Sequence, residues 1–300
     1  MLKKVYKKSL APFYKVLDSI AEELLQLWRY GVDIFLKGRK LTLYICVVAV
    51  KADWPLLAKL GRFQRFFGRK TRLLNAAAKG ICHLCRAGQD NIPYHDYSQN
   101  AAWRPTYLQD EAYDGNPPFH DLPWHNPLIY RFDIFHVGHK GVFAELAGSA
   151  IVVLMDMGLA GDGAVPNQLS NIYSDMVLFC RENHLSLRMS NLARTLISWE
   201  TDADYPCGSW FKGADTTVAC KFLETRFGVL ARVDPSDEYI TSIHMALRSA
   251  NEFMRGLYSH GLWLRRHEAL RLVEHGFQFV ANYVQAAYEA LFHSRTRFKL

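Results

Sequence analysis

The spacing of apolar residues divides the chain into stretches with different periods. From Leu17 to Leu27, apolar residues recur at intervals of three and four, which predicts an amphipathic helix ending near Gly31. Two runs rich in β-branched and aromatic residues follow, at 32–36 and 41–50, and they predict two β-strands. The N-terminal part of the chain therefore reads as a helix followed by a small sheet.

The two strand-like runs differ in how deeply they should be buried. The residues between them, 37–40, predict a hairpin turn in which Gly38 takes a positive φ. The run 41–50 is apolar on both faces, so we expect a central strand covered by helices. It is also the longest apolar run, about half the roughly 20 residues that a membrane-spanning helix needs, and no membrane partner is expected.

The rest of the chain changes from irregular to helical. Residues 86–131 combine repeated prolines with several Trp and Tyr, which predicts an ordered loop module. Helices are then predicted at 142–159, 167–182, 191–198, 216–227, 236–259 and 266–292. Asp215 and Ser236 are of the residue types that begin helices, so we expect them as N-caps.

Apolar residues on the last helix form a narrow seam with alternating intervals of three and four. Its members are Leu270, Val273, Phe277, Val280, Val284, Ala287 and Leu291. Such a seam suits pairing with another helix. One interpretation is packing into the protein's own core, and the other is a homodimer.

Composition and charge indicate a globular protein with an anionic partner. Half of the 300 residues are hydrophobic, and the net charge is +7 with a pI near 9.0. The basic clusters are Lys3, Lys4, Lys7 and Lys8; Arg62, Arg65, Arg69, Lys70 and Arg72; Arg265 and Arg266; and Arg295, Arg297 and Lys299. These clusters favour electrostatic contacts with DNA phosphates, and solvated surface is the alternative interpretation of each.

Cysteine usage indicates an intracellular protein that holds a zinc ion. Six cysteines occur without a secretory signal, so we expect reduced thiols. Cys82 and Cys85 have the spacing at which two thiolates reach one tetrahedral zinc. Further ligands would come from His95, His120, His125 or Cys207. The alternative is a pair of ordinary buried cysteines.

Two aspartates are candidates for a second kind of metal site. Asp53 follows the strand-like run, where a carboxylate can be aimed at a divalent cation, although capping of the next helix is an equally simple role. Asp133 and His136 are three residues apart, so on a helical turn they would share a face and could coordinate metal. A loop-to-helix junction, with Asp133 as the cap, is the alternative there.

The order of these motifs resembles a known family. Ala-Asp-Trp-Pro at 52–55, Cys-x-x-Cys at 82–85 and Phe-Asp-Ile-Phe-His at 132–136 resemble the central part of plant and fungal transposases of the CACTA type. They resemble more closely a set of dinoflagellate proteins that look derived from such elements, which also carry a segment like Lys-Gly-Ala-Asp-Thr at 212–216. The likeness covers roughly residues 31 to 225.

The resemblance implies a partial RNase H-like α/β core, with Asp53 as the family's second catalytic acid and Mg²⁺ or Mn²⁺ as cofactor. It also implies a nuclear location. The chain departs from the family in two ways: it begins too late to supply the first acid, and no glutamate has a clear claim to be the third, the candidates being Glu145, Glu252 and Glu268. We therefore expect little or no strand cleavage.

Taken together, the sequence predicts an α/β protein in three segments. They are 1–80, a helix and strand hairpin of the RNase H-like core; 81–131, the Cys/His loop module; and 132–300, a mainly helical region. The expected function is a transposon-derived, nuclease-like, DNA-binding protein that is catalytically incomplete. Its predicted acids are Asp53 and Asp133, and its predicted metal ligands are Cys82, Cys85, His95 and His136. The alternative is a non-enzymatic interaction or structural protein that keeps the fold.

Overall fold

The computed structural model describes residues 9–67, 80–210, 212–261, 263–294 and 297–298. The chain divides into two compact units, Met1–Asp133 and Ile134–Leu300. Helices account for 54% of the protein and strands for 7%, so it is a mixed helix and sheet protein in which helix predominates. The finer division into three segments stays a prediction.

In its described residues, 9–67 and 80–133, the first unit combines two helices with four short strands. Its elements are α1 (Ala11–Arg29), β1 (Val32–Leu36), β2 (Arg39–Leu43), β3 (Val50–Lys51), α2 (Trp54–Leu60) and β4 (Tyr130–Arg131), with 3₁₀ turns at Arg104–Thr106 and Pro127–Ile129. The 86–131 region between α2 and β4 is otherwise built from turns and bends in its described residues.

Strands β1 and β2 form an antiparallel hairpin. Its two-residue turn has Lys37 at φ 49° and Gly38 at φ 74°, so both central residues are left-handed, as a type I′ turn requires. The predicted hairpin turn is confirmed. The prediction of one central strand over 41–50 is wrong, because β2 ends at Leu43 and is exposed along its whole length. The sheet of β1 and β2 has two strands in the part of the chain that the structure describes, and the apolar residues of β2 remain exposed.

Strands β3 and β4 form a separate parallel pair, in which Val50 is opposite Tyr130 and Lys51 is opposite Arg131. This pair joins segments about eighty residues apart in sequence. The apolar core of the unit packs around it and α2. Its buried members are Leu17, Ala21, Trp54, Leu57, Ala58, Leu60, Phe63, Phe119, Leu122, Ile129 and Tyr130.

The second unit is helical in its described residues. Its elements are a π-helix (Phe135–Val142), α3 (Phe143–Asp156), α4 (Val165–Glu182), a 3₁₀ turn (Arg194–Ile197), α5 (Gly213–Val233), α6 (Glu238–Ser259) and α7 (Arg266–Phe292). The predicted helices are present except at 191–198, where only the 3₁₀ turn forms. Asp215 and Ser236 are not N-caps: Asp215 lies inside α5, and Asp237 caps α6 by accepting a hydrogen bond from the Ile240 amide.

Helix α3 runs through the middle of the second unit's core, with every residue from Phe143 to Met155 buried except Glu145. The stretch Phe135–Asp156 is the one segment among the described residues that is long and apolar enough to cross a membrane. Because 72% of its apolar window is buried inside the protein, it also has the character of a core helix.

Helix α7 packs along α6 with a face different from the predicted seam. Leu272, Phe279, Ala286 and Ala290 are buried. Of the seven seam residues, only Ala287 is buried, while the others are exposed or half-buried. The interpretation that the seam packs into the protein's own core is therefore wrong for most of its length.

Candidate functional site

The two predicted acids follow the strands of the parallel pair. Lys51 is opposite Arg131, and each strand is followed two residues later by an aspartate, Asp53 after β3 and Asp133 after β4. Both strands end before these acids, at Lys51 and Arg131, and Asp53 begins the helix that follows β3. Each of the two adjacent parallel strands is therefore followed by one carboxylate.

Asp53 is also the N-cap of α2. Its Oδ1 accepts a hydrogen bond from the Leu56 amide at 2.9 Å, and its backbone is extended at φ −58° and ψ 156°. Pro55 in the first turn fits the same helix start. The capping role weighed from the sequence is therefore present. The cap uses one carboxylate oxygen, so Oδ2 is not engaged in it.

Asp133 forms an ion pair with Lys51 of strand β3. Its Oδ1 lies 3.6 Å from the Nζ of Lys51, and its side chain is 18% exposed. The expectation that Asp133 and His136 share a helical turn is wrong, because the π-helix begins at Phe135 and Asp133 lies before it. His136 lies in that π-helix, in the second unit, and is exposed.

Two carboxylates at one strand edge can hold a single Mg²⁺ or Mn²⁺, which commonly takes one or two carboxylates plus water and substrate phosphate. Among the described residues there is no cluster of three or more His, Cys, Asp or Glu side chains placed to hold a metal. A divalent ion at Asp53 and Asp133 stays a prediction, and paired-metal hydrolysis would need a further carboxylate.

Aromatic residues adjoin both acids in sequence. The indole of Trp54 stacks with Phe67 at a centroid distance of 5.1 Å and with Phe132 at 5.2 Å, with interplanar angles of 24° and 17°. Trp54 is 8% exposed, while Phe67 and Phe132 are 62% and 45% exposed. In sequence, Trp54 follows Asp53 and Phe132 precedes Asp133, so the acids and the exposed rings share one region.

His83 lies in the wall behind these rings. It is 1% exposed, stacks on Phe63 at 4.3 Å and an angle of 10°, and places Nε2 3.4 Å from the Tyr130 carbonyl oxygen. Burial lowers the pKa of His83 to about 4, with the carbonyl opposing that shift and the Arg65 charge adding to it. At neutral pH His83 is therefore an uncharged, packed ring.

Cys82 and Cys85 form a tight turn in which the two thiols interact. The Leu84 amide donates to the Cys82 Sγ at 3.3 Å. A hydrogen bond from the Cys85 thiol lowers the pKa of Cys82 to about 6, with backbone amides assisting and burial opposing. The same hydrogen bond, together with burial, raises the pKa of Cys85. Cys82 therefore has the thiolate character that a zinc ligand needs.

Only half of a zinc site is in place. The thiol pair fits zinc, but the described residues add no third ligand beside it to form a cluster. His95 is exposed and packs against Tyr94. His120 and His125 lie 5.4 Å apart, ring to ring, with His120 next to Asp121. A zinc ion held by Cys82, Cys85, His95 and His136 stays a prediction.

Two arginines of the predicted basic clusters form ion pairs with aspartates. Arg65 is 4% exposed and donates to Asp110 at 2.7 and 3.4 Å. Arg297 donates to both oxygens of Asp156 at 2.8 and 3.1 Å. Neither is presented to an external phosphate. The cluster members at 1–8, 68–79, 295 and 299 lie outside the described residues.

The second unit brings together two other motif segments. Thr216 donates to the His139 carbonyl oxygen at 2.6 Å and accepts from the Trp210 indole at 2.8 Å. His139 is 3% exposed, and its Nε2 lies 2.8 Å from the Tyr258 hydroxyl. A Cβ at Gly213 would lie 2.4 Å from the Phe135 ring, so glycine is needed for this approach.

This network was not found from the sequence, which singled out His136 and not His139. The signal available was the pair of glycines around His139, since glycines mark close backbone approach. Asp215, expected as a cap, is instead buried and accepts from the Arg188 amide at 2.7 Å. The network therefore orders the loop before α5.

Comparison of the whole chain with protein-family models, with curated proteins and with solved structures finds no match.

Proposed function

We propose that the protein is a transposon-derived, nuclease-like, DNA-binding protein whose acidic site is incomplete. The observation that carries the proposal is the parallel pairing of β3 with β4, since each strand is followed two residues later by an aspartate, Asp53 or Asp133. Carboxylates in such positions are suited to a divalent cation that contacts phosphate. The motif resemblance and the RNase H-like core that it implies belong to the same proposal.

The surroundings of the acids support a nucleic-acid substrate. Lys51 and Arg131 lie opposite each other on the paired strands, two residues before the acids, and both are exposed. The chain as a whole carries a net charge of +7. Cations beside a carboxylate pair allow phosphates to approach the metal, because they offset the negative charge of the acids.

We infer that the site is incomplete from the ligands among the described residues, which form no cluster of three or more. A single ion between Asp53 and Asp133 can bind a phosphate, but in-line displacement by the paired-metal mechanism needs ions roughly 4 Å apart. The expected activity is metal-dependent DNA binding with little or no strand cleavage.

The test combines metal binding with plasmid nicking. Titration calorimetry with Mn²⁺ should find one site in the wild-type protein and none in Asp53→Asn, which keeps the cap because asparagine also caps helices well. Asp121→Asn is the matched control, since Asp121 is an exposed acid in the same unit. Robust nicking that Asp53→Asn abolishes would show a complete site and contradict the incompleteness.

The second candidate is a non-enzymatic interaction or structural protein. Both acids already have a structural role, which favours this candidate: Asp53 caps α2, and Asp133 forms an ion pair with Lys51. In that case the protein binds no Mn²⁺, and Asp53→Asn is indistinguishable from wild type in DNA affinity as well as in folding. The same calorimetry separates the two candidates.

A further inference from the structure

Two aromatic rings that stack on Trp54 are largely exposed. Phe67 and Phe132 each pack one ring against Trp54, yet 62% and 45% of their surfaces are open to solvent. Core aromatics of the same unit, such as Phe63 at 5% and Tyr130 at 1%, are covered. The stacked rings thus present flat apolar surface that another flat molecule can extend.

Two cations of the strand pair bear on what that molecule is: Arg131 directly precedes Phe132 in sequence, and Lys51, opposite Arg131, also forms the ion pair with Asp133. Lys51 and Arg131 are exposed on the adjacent strand pair, so a flat group carrying negative charge is favoured over a neutral apolar segment. Phe132 and Trp54 each neighbour one of the two acids in sequence. Nucleotides combine a flat ring with an attached phosphate.

We propose that Trp54, Phe67 and Phe132 form a stacking surface for unpaired nucleobases, so that this site takes single-stranded nucleic acid. The inference rests on the proposed function and deepens it by naming the form of the substrate. In a duplex, neighbouring base pairs cover the faces of each base, and exposing a face costs unstacking free energy. A single strand offers its base faces without that cost, and every base has such a face.

The expected consequence is a preference for single strands that depends on the exposed rings. Replacing Phe67 or Phe132 by Ala should weaken binding of a 12-nucleotide oligothymidine by about 5- to 150-fold each, the range for loss of one stacked base. Leu at the same positions keeps apolar bulk without a stacking ring, so it should fold like the wild type and still lose binding. The indole of Trp54 is left intact because it is buried.

The experiment measures fluorescence anisotropy at fixed salt in Mg²⁺, with three labelled probes of equal length: oligothymidine, an abasic strand and a duplex. The abasic strand keeps the phosphates and lacks the rings, so it separates charge from stacking. Phe35→Ala is the matched control, because Phe35 is 76% exposed on the hairpin away from the acids in sequence. It should leave all three affinities unchanged.

The outcomes separate this inference from the proposed function. Tighter binding of oligothymidine than of both other probes, lost in the Phe67→Leu and Phe132→Leu variants, supports the stacking surface. Equal binding of oligothymidine and the abasic strand, or Leu variants that bind like wild type, overturns it while leaving a charge-driven DNA-binding protein. Absence of binding to every probe at low salt overturns both.

Discussion

At the scale of single residues, Asp53 occupies a position that suits two roles, the cap of α2 and a ligand for a divalent cation. The structure contains the cap. The approach of the Asp133 segment depends on the pairing of β3 with β4, across about eighty residues. Local pattern carries no information on such a pairing, so it could not be predicted from the sequence.

His83 gives a residue-scale prediction of pH dependence. Because burial lowers its folded-state pKa to about 4 from an ordinary 6.5, the unfolded chain takes up a proton over this range that the folded state does not. Stability is therefore full above about pH 6.5 and falls as the pH drops towards 4, by about 3 kcal/mol. His83→Phe, which keeps a ring on Phe63, should remove this contribution.

The measurement is urea unfolding of the wild type and His83→Phe from pH 4 to pH 7.5, taken as a difference so that other titrating groups cancel. His95→Phe is the control, since His95 is exposed. A difference in unfolding free energy that does not change with pH would contradict the assignment of His83 as a buried neutral ring.

Cys82 and Cys85 provide a second residue-scale prediction. If they share a zinc ion, protein purified without chelator should contain about one equivalent of zinc. The double replacement by Ser should release it and lower the stability of the first unit, because metal binding and folding are coupled. Elemental analysis of both proteins measures this. The control is the Cys180→Ser variant, whose buried cysteine lies in α4. Wild-type protein that contains no zinc would contradict a zinc site at Cys82 and Cys85.

At the scale of elements, helices were predicted well and strands poorly. The 3.6-residue period of α4 to α7 is set by local sequence, and the predicted range 266–292 matches Arg266–Phe292. The apolar run 41–50 failed because burial of a strand depends on neighbours that local sequence does not specify. The hairpin turn succeeded because Gly38 and its positive φ are local.

Two helical glycines should respond oppositely to Ala. At Gly148 in α3, a Cβ would lie 2.8 Å from the Cys207 backbone, so Gly148→Ala forces two packed segments apart and should cost about 1–3 kcal/mol. At Gly276 in α7 the nearest atom would be 3.7 Å away, so Gly276→Ala should stabilise by about 0.5–1 kcal/mol through helix propensity. Thermal unfolding of both variants measures this pair, and a neutral Gly148→Ala would contradict the close crossing.

At the scale of the whole molecule, the expected homodimer is favoured by exposed apolar residues along α7, three from the predicted seam and Tyr288 next to it. Leu270, Val273, Tyr288 and Leu291 are each more than half exposed along a helix about 40 Å long. Antiparallel pairing about a point between residues 280 and 281 sets Leu270 against Leu291 and Val273 against Tyr288. The seam is thus complementary to itself under a two-fold axis, as a homodimer requires.

The amount of apolar surface agrees with a dimer. Tyr288 and Phe292 are 56% and 82% exposed, and aromatic side chains carry about 150–250 Å² each. With the aliphatic seam residues, this helix exposes several hundred square ångströms, close to the roughly 800 Å² per partner of a standard interface. We therefore propose that two α7 helices pair in solution.

The antiparallel pairing gives the last prediction, which cross-linking tests. In a protein whose exposed Cys46 is replaced by Ser, Val280→Cys should form a disulfide dimer on mild oxidation, because residue 280 lies next to the two-fold axis. Leu270→Cys should not, since the two copies of residue 270 would be about 30 Å apart along the helix axes.

Light scattering should report a dimer for the parent protein and a monomer for Val273→Glu, which places charge in the seam. Disulfide formation by both cysteine variants would indicate parallel helices instead. A parent protein that is monomeric at tens of micromolar would mean that the seam has another occupant.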